Sequence, residues 1–332
     1  MDERPRGPRG TKARRVVTAL AVGAVVAAAA AGGWFVLGPG ADRGAAGCAG
    51  LGGDPRVRTA LGDAYRPGMG CGELGRAMRE AAAPDANAGA AAGGHSQKAA
   101  AAMKNILLAA DDAVRSSERL DLDQALRLPL ARAMAHYEDV SVLLTDPADS
   151  VYARESLFSR GPWKAEDGYH MAVDDDSLIR VIRAVSADPE AYAILRDAQT
   201  AWEARRLASL SPDSEELRWS VGARAFGKLD GVAAHVHDGL SPQDAGDWDA
   251  AVSRHLVARA EERKGGEDSV AERIEQAWQR TLARAPEAQH VAVVERQCAV
   301  MLDAAGLSAA ENTCLNLASH TASRALRVLR AV

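Results

Sequence analysis

Hydrophobic positions in the body of the chain return at intervals of three and four. Leu217, Val221, Ala225, Leu229, Val232 and Val236 form one such series, and Val291, Val294, Cys298 and Met301 a second. Cys314, Leu317, Thr321, Ala325 and Val328 form a third. Each spacing lines one face of an α-helix. Helix starts are marked by Asp146-Pro147, Asp188-Pro189, Ser211-Pro212 and Ser241-Pro242. In each pair the polar side chain can cap free N–H groups while proline takes the first helical position, where no N–H is needed. Ser241 has Asp244 three residues on, and Ser308 has Glu311, which predicts a capping box at the start of the last helix. No Asn-Gly or Asp-Gly turn joins two alternating runs, and no repeat of fixed period emerges. The pattern predicts an all-α fold.

The N-terminus departs from this pattern. Residues 1–15 hold Arg4, Arg6, Arg9, Lys12, Arg14 and Arg15 against Asp2 and Glu3, among prolines and glycines, and read as a disordered basic tail. The next 22 residues, Val16 to Leu37, carry no charge. As a helix they would extend about 33 Å, enough for a hydrocarbon core of about 30 Å. The basic flank orients such a span with its N-terminus in the cytoplasm, and Trp34 and Phe35 suit the outer interface. A cleaved signal peptide is the competing reading, since Ala27 to Ala31 offers small-residue cleavage sites. Apolar character continuing to Leu37 favours a retained anchor. The expected organisation is a tail over 1–15, a single transmembrane helix over 16–37, a Gly-rich stalk and linker with short helices over 38–94, and a multi-helix extracytoplasmic bundle over 95–332.

Four cysteines, Cys48, Cys71, Cys298 and Cys314, all follow the apolar run. An even number in an oxidising space suggests disulfides. Cys298 and Cys314 sit eight residues either side of Gly306, so a helical hairpin turning there brings them level, and Cys48 and Cys71 would close a local loop. Charge narrows the partners. Setting the tail's six basic and two acidic residues aside from the totals of 40 and 45 leaves a balance of −9, which disfavours nucleic acid and other polyanions. The Ala, Arg, Gly and Asp bias, with 4% aromatic residues, fits a high-GC genome.

Candidate chemistry is sparse. His235, His237 and Asp238 resemble a metal cluster, but on a helix the two imidazoles diverge by about 200°. Asp174, Asp175 and Asp176 suit a helix start, where acids complement the dipole. No nucleophile elbow, P-loop or dinucleotide fingerprint occurs, and no cofactor is expected. The tract from Ser159 through Trp163 to Tyr169 and His170 breaks the helical period. It reads either as a recognition surface carried by Trp163, Tyr169 and His170 or as a plug sealing the core. Trp202, Trp219, Trp248 and Trp278 read as core or groove residues of their helices.

The segment Asp188-Pro189-Glu190-Ala191-Tyr192-Ala193-Ile194-Leu195, continuing through Gln199 and Trp202, resembles a helical stretch of uncharacterised actinobacterial membrane-anchored proteins, some associated with type VII-like export. The resemblance spans Leu178 to Leu210 and includes no toxin catalytic domain and no W-x-G hairpin signature. It implies envelope-associated interaction and assigns no residue a role. The expected function is a membrane-anchored module binding a protein or envelope partner, with an extracytoplasmic hydrolase acting on wall or peptide material as the alternative.

Overall fold

The structure is a computed structural model that describes residues 48–84, 94–117, 120–146, 150–158, 161–211, 221–262 and 269–332. The basic tail, the Val16 to Leu37 run, Pro147, Pro212 and Trp219 lie outside them. Among the described residues no helix is long and apolar enough to cross a membrane.

The described chain is all-helical apart from one two-stranded hairpin. Its helices are α1 (Cys48–Gly53), α2 (Pro55–Leu61), α3 (Cys71–Ala82), α4 (Gln97–Arg115), α5 (Gln124–Ala135), α6 (Glu138–Leu144) and α7 (Ser150–Leu157). The hairpin strands β1 (Trp163–Lys164) and β2 (Tyr169–His170) follow, then α8 (Asp175–Val185), α9 (Pro189–Ala208), α10 (Val221–Asp238) and α11 (Pro242–Glu262). The chain ends with α12 (Val270–Arg284), α13 (His290–Glu295), α14 (Gln297–Ala304) and α15 (Glu311–Arg330).

Helices α8 and α9 occupy the middle of the bundle. On one side α4 and α5 pack on them, carrying α2 and α3; on the other α10 to α12 do so, with α15 against α10. Leu178, Ile179, Val181, Ile182 and Val185 of α8 are all buried, and α9 is buried nearly all round. A helix enclosed on every side has no polar face to alternate with, so α9 lacks a sharp apolar stripe. Its alanines at 191, 193 and 204 let neighbours close in. Arg196, fully buried in α9, donates to Gln297 Oε1, Tyr192 Oη, Asp230 Oδ1 and the Val294 carbonyl at 2.7–2.8 Å. A buried guanidinium needs such partners for its N–H groups. The network ties α9 to α10, α13 and α14.

The expected stalk is shorter than its composition suggests. Leu51, Val57, Leu74 and Met78 are buried in the same core as the body, and Tyr137 Oη donates to the Ala82 carbonyl at 2.6 Å. The helical domain therefore takes in Cys48 onward instead of starting at His95. The i,i+4 pairs Val57/Leu61 and Leu74/Met78 supply the apolar face, sparse though it is.

Both disulfides form. Cys48 bonds Cys71 across a Cα separation of 5.2 Å, joining α1 to the start of α3. Cys298 bonds Cys314 across 6.4 Å, joining α14 to α15. Gly306, at φ +78°, makes the turn between those two helices, with Leu307 N–H on the Leu302 carbonyl at 2.8 Å. That positive φ is one glycine adopts without strain.

One cap expectation is corrected. Ser308 opens a short 3₁₀ turn and donates to Asp303 Oδ1 at 2.6 Å, so it caps no helix. The capping box of the described chain is Ser269 with Glu272 on α12. Asp188 caps α9 as expected, and Asp244 N–H reaches Ser241 Oγ at 3.2 Å.

Candidate functional site

The hairpin turns through the four residues 165–168, closed by the Ala165 N–H on the Gly168 carbonyl at 2.7 Å, between strands of two residues each that were too short to reveal it. Trp163 pairs with His170 and Lys164 with Tyr169, and Tyr169 N–H bonds the His95 carbonyl at 3.0 Å on the outer edge. Trp163 stacks on the His170 ring at a centroid distance of 5.7 Å and meets Tyr152 edge-on at 4.9 Å. In the tract read as a surface or a plug, the rings of Trp163, Tyr169 and His170 are each half-buried.

His170 is clamped between two carboxylates. Nδ1 lies 2.7 Å from Asp139 Oδ1 and Nε2 lies 2.8 Å from Asp167 Oδ1. The Asp139 contact above all, with Asp167 behind it and burial opposing both, raises the imidazole pKa to about 9. His170 is thus an imidazolium at neutral pH, with both nitrogens occupied. Asp139 is saturated as well: Tyr152 Oη donates to Oδ1 at 2.7 Å and Met171 N–H to Oδ2 at 3.0 Å.

Beside the clamp runs a groove of about 440 Å³. Its floor is the face of α9 carrying Ile194, Ala198, Ala201, Trp202 and Arg205, which follow helical spacing. His95 and His136, from opposite sides of the α4–α6 region, close one wall with ring centroids 5.4 Å apart. His95 also stacks on Tyr137 at 3.6 Å, and burial with the neighbouring His136 lowers its pKa, favouring the neutral ring. Arg259 and Asp197 pair at 2.7 Å on the other wall.

A second cleft, of about 520 Å³, opens between α6, α7, α10 and α15. Beneath it Lys228, its side chain only 2% exposed, donates to Asp146 Oδ1 and Asp175 Oδ1, each at 2.6 Å. Burial pushes the Asp175 carboxyl above its ordinary pKa, against the pull of Lys228. Arg324 leans on the outer oxygens of the same carboxylates at 3.5 and 3.9 Å. Asp146 stands at φ +52° and faces the ammonium, while the Pro147 helix start expected after it lies outside the described residues. Gly227 makes the cleft's back wall thin, because any Cβ there would collide with Thr321 and Ala318 of α15.

The other expected residues separate. His235 Nδ1 accepts from Arg183 Nε at 2.9 Å, and burial followed by that cation lowers its pKa. His237 lies edge-on to Trp248 with Nε2 3.1 Å from Asp249 Oδ1, and Asp238 pairs with Arg330 at 2.7 Å. Three side chains with three different neighbours hold no common ion. Asp174 caps α8 through the Ser177 N–H at 2.8 Å. Trp202, Trp248 and Trp278 are buried. Among the described residues the one group with ligand-like spacing is Cys48, Cys71 and Asp123, whose sulfurs are joined in the disulfide.

Sequence reading missed Asp139, Asp167, His95, Lys228 and Asp146 as site residues. Asp139 lies 31 positions from His170 and Lys228 lies 82 from Asp146, whereas the i,i+3 spacing of Asp167 to His170 was visible. Fold and sites together define a disulfide-linked helical domain with a histidine-lined groove and a cationic cleft. No protein-family model matches the chain, and comparisons with curated proteins and with solved structures return no match.

Proposed function

We propose that the chain is a membrane-tethered domain of the oxidising space outside the cytoplasm, held by Val16 to Leu37, and that it binds an envelope protein through the α9 groove. The two disulfides support the compartment, since such bonds persist where thiols are not kept reduced. The observation that carries the binding reading is the groove floor. Ile194, Ala198 and Trp202 form an apolar strip at i, i+4 and i+8, and Glu138, Asp167, Arg205 and Arg259 line the same groove with charges of both signs. Apolar strips among charges of both signs suit an amphipathic segment laid into a groove. The actinobacterial export-associated resemblance over Leu178 to Leu210 covers this same strip.

The test is cross-linked capture from membranes with the full chain. Trp202→Ala with Arg205→Glu should lose a reproducibly captured protein that the unaltered chain retains. Capture of the same protein by both chains would overturn the groove assignment, and a reporter fused after Val332 active only in the cytoplasm would overturn the topology. Hydrolysis of wall or peptide material abolished by His136→Ala would instead favour the enzyme reading.

A further inference from the structure

We infer that the α10/α15 cleft is a second binding site, separate from the groove, and that it takes an anionic head group, a carboxylate or phosphate, carried on an apolar body. The argument is one of charge count and lining. Lys228 and Arg324 together neutralise Asp146 and Asp175, which leaves the floor of the cleft without net charge. Arg224 then remains. It lines the cleft, half-buried, and among the described residues it meets no carboxylate; its one bond is a long 3.4 Å contact from Nη1 to the Asp146 carbonyl. His320 lines the same cleft from α15. Among the described residues the site therefore carries an excess positive charge, in a chain whose formal total is −5.

A half-buried guanidinium that meets no described carboxylate is open to a bound oxyanion, because its fork of N–H donors matches carboxylate and phosphate geometry. Arg224 on α10 and His320 and Arg324 on α15 approach this point from facing helices. Gly227, where an added Cβ would collide with Thr321 and Ala318, holds those helices close together, and all three side chains line the one cleft.

The remaining lining sets the rest of the ligand. Leu143, Val173 and Leu317 give the cleft an apolar wall beside the cations. On α7 the lining residues Ala153 and Ser156 are followed by Leu157 and Phe158, 76% and 65% exposed. Leu157 stands four residues from Ala153, on the same helix face, so the apolar surface continues outward from the cleft. A volume of about 520 Å³ is ordinary for a small-molecule site.

Calorimetric titration of the full chain with sodium octanoate, 1-octanol and inorganic phosphate tests this. Octanoate should bind at least about tenfold more tightly than either other probe, and Arg224→Gln or His320→Gln should each weaken it several-fold, with unfolding midpoints unchanged. Octanol binding as tightly as octanoate would overturn the need for the charge; phosphate doing so would overturn the apolar body. Octanoate affinity unmoved in Arg224→Gln would overturn the site. Co-sedimentation with phosphatidylglycerol vesicles but not phosphatidylcholine vesicles, lost in Arg224→Gln, would assign the head group to a bilayer, whereas octanoate binding without it assigns a free amphiphile.

Discussion

The groove and the cleft use the same residue types to opposite ends. In the groove the clamp is closed on itself: His170 is bonded at both nitrogens, and Asp139 accepts from His170, Tyr152 and the Met171 N–H. In the cleft a cation is left over among the described residues, since Lys228 and Arg324 offset two aspartates and Arg224 faces no described carboxylate. A closed network holds a wall in place, whereas an open one invites a counter-ion. Buried charges stabilise shape only when paired, so Lys228 and Arg224, one helical turn apart, should respond very differently to removal.

The largest effect is expected at Lys228. Lys228→Met leaves the half-buried Asp146 and Asp175 without their ammonium, and loss of about 3–5 kcal/mol in urea unfolding at neutral pH should follow. A carboxyl with a raised folded pKa holds its proton more tightly folded than unfolded, so this variant should regain stability as the pH falls. An equal loss at all pH values would mean that packing, not charge, is at fault.

Next come the disulfides. Replacing Cys298 and Cys314 by serine, or Cys48 and Cys71, should each cost about 3 kcal/mol, because the closed loops are of similar length. Thermal unfolding of the two double variants measures this directly. Complete labelling of all four thiols without reductant would contradict the pairing.

The clamp should give a smaller and pH-dependent effect. The folded pKa of His170 stands near 9 against about 6.5 unfolded, so its contribution is fully present below pH 6.5 and is lost as the pH rises through 9. Partial exposure to solvent limits it to about 1–2 kcal/mol. His170→Gln should flatten stability between pH 7 and 9, and an unchanged slope would break the clamp. Smallest is Arg224→Gln, expected within about 0.5 kcal/mol of the parent because no carboxylate is orphaned.

The contrast between the two sites also marks what the sequence could reveal. Apolar spacing in α10 and α15, the Asp188-Pro189 cap and the cysteines placed evenly about Gly306 are local patterns, and the structure follows them. The hairpin has two residues per strand, too few to alternate, so its turn over residues 165–168 carried no readable signal. The Ala- and Gly-rich stretch around α1 to α3 looked like a stalk because few large side chains mark its buried face. Ion pairs such as Lys228 with Asp146 join positions 82 residues apart, and no periodicity encodes them. The Asp146 carboxylate is such a case, since its lysine partner is invisible from the local Asp146-Pro147 pattern.

Imidazole NMR of the full chain at pH 7, recorded while inorganic phosphate or octanoate is added, compares the closed and open networks in one experiment. The His320 ring signals should move with octanoate while those of His170 stay fixed, and a pH series should place the His170 midpoint near 9. A stationary His320, or a His170 midpoint near 6.5, would contradict the division of the molecule into a closed clamp and an open cationic cleft.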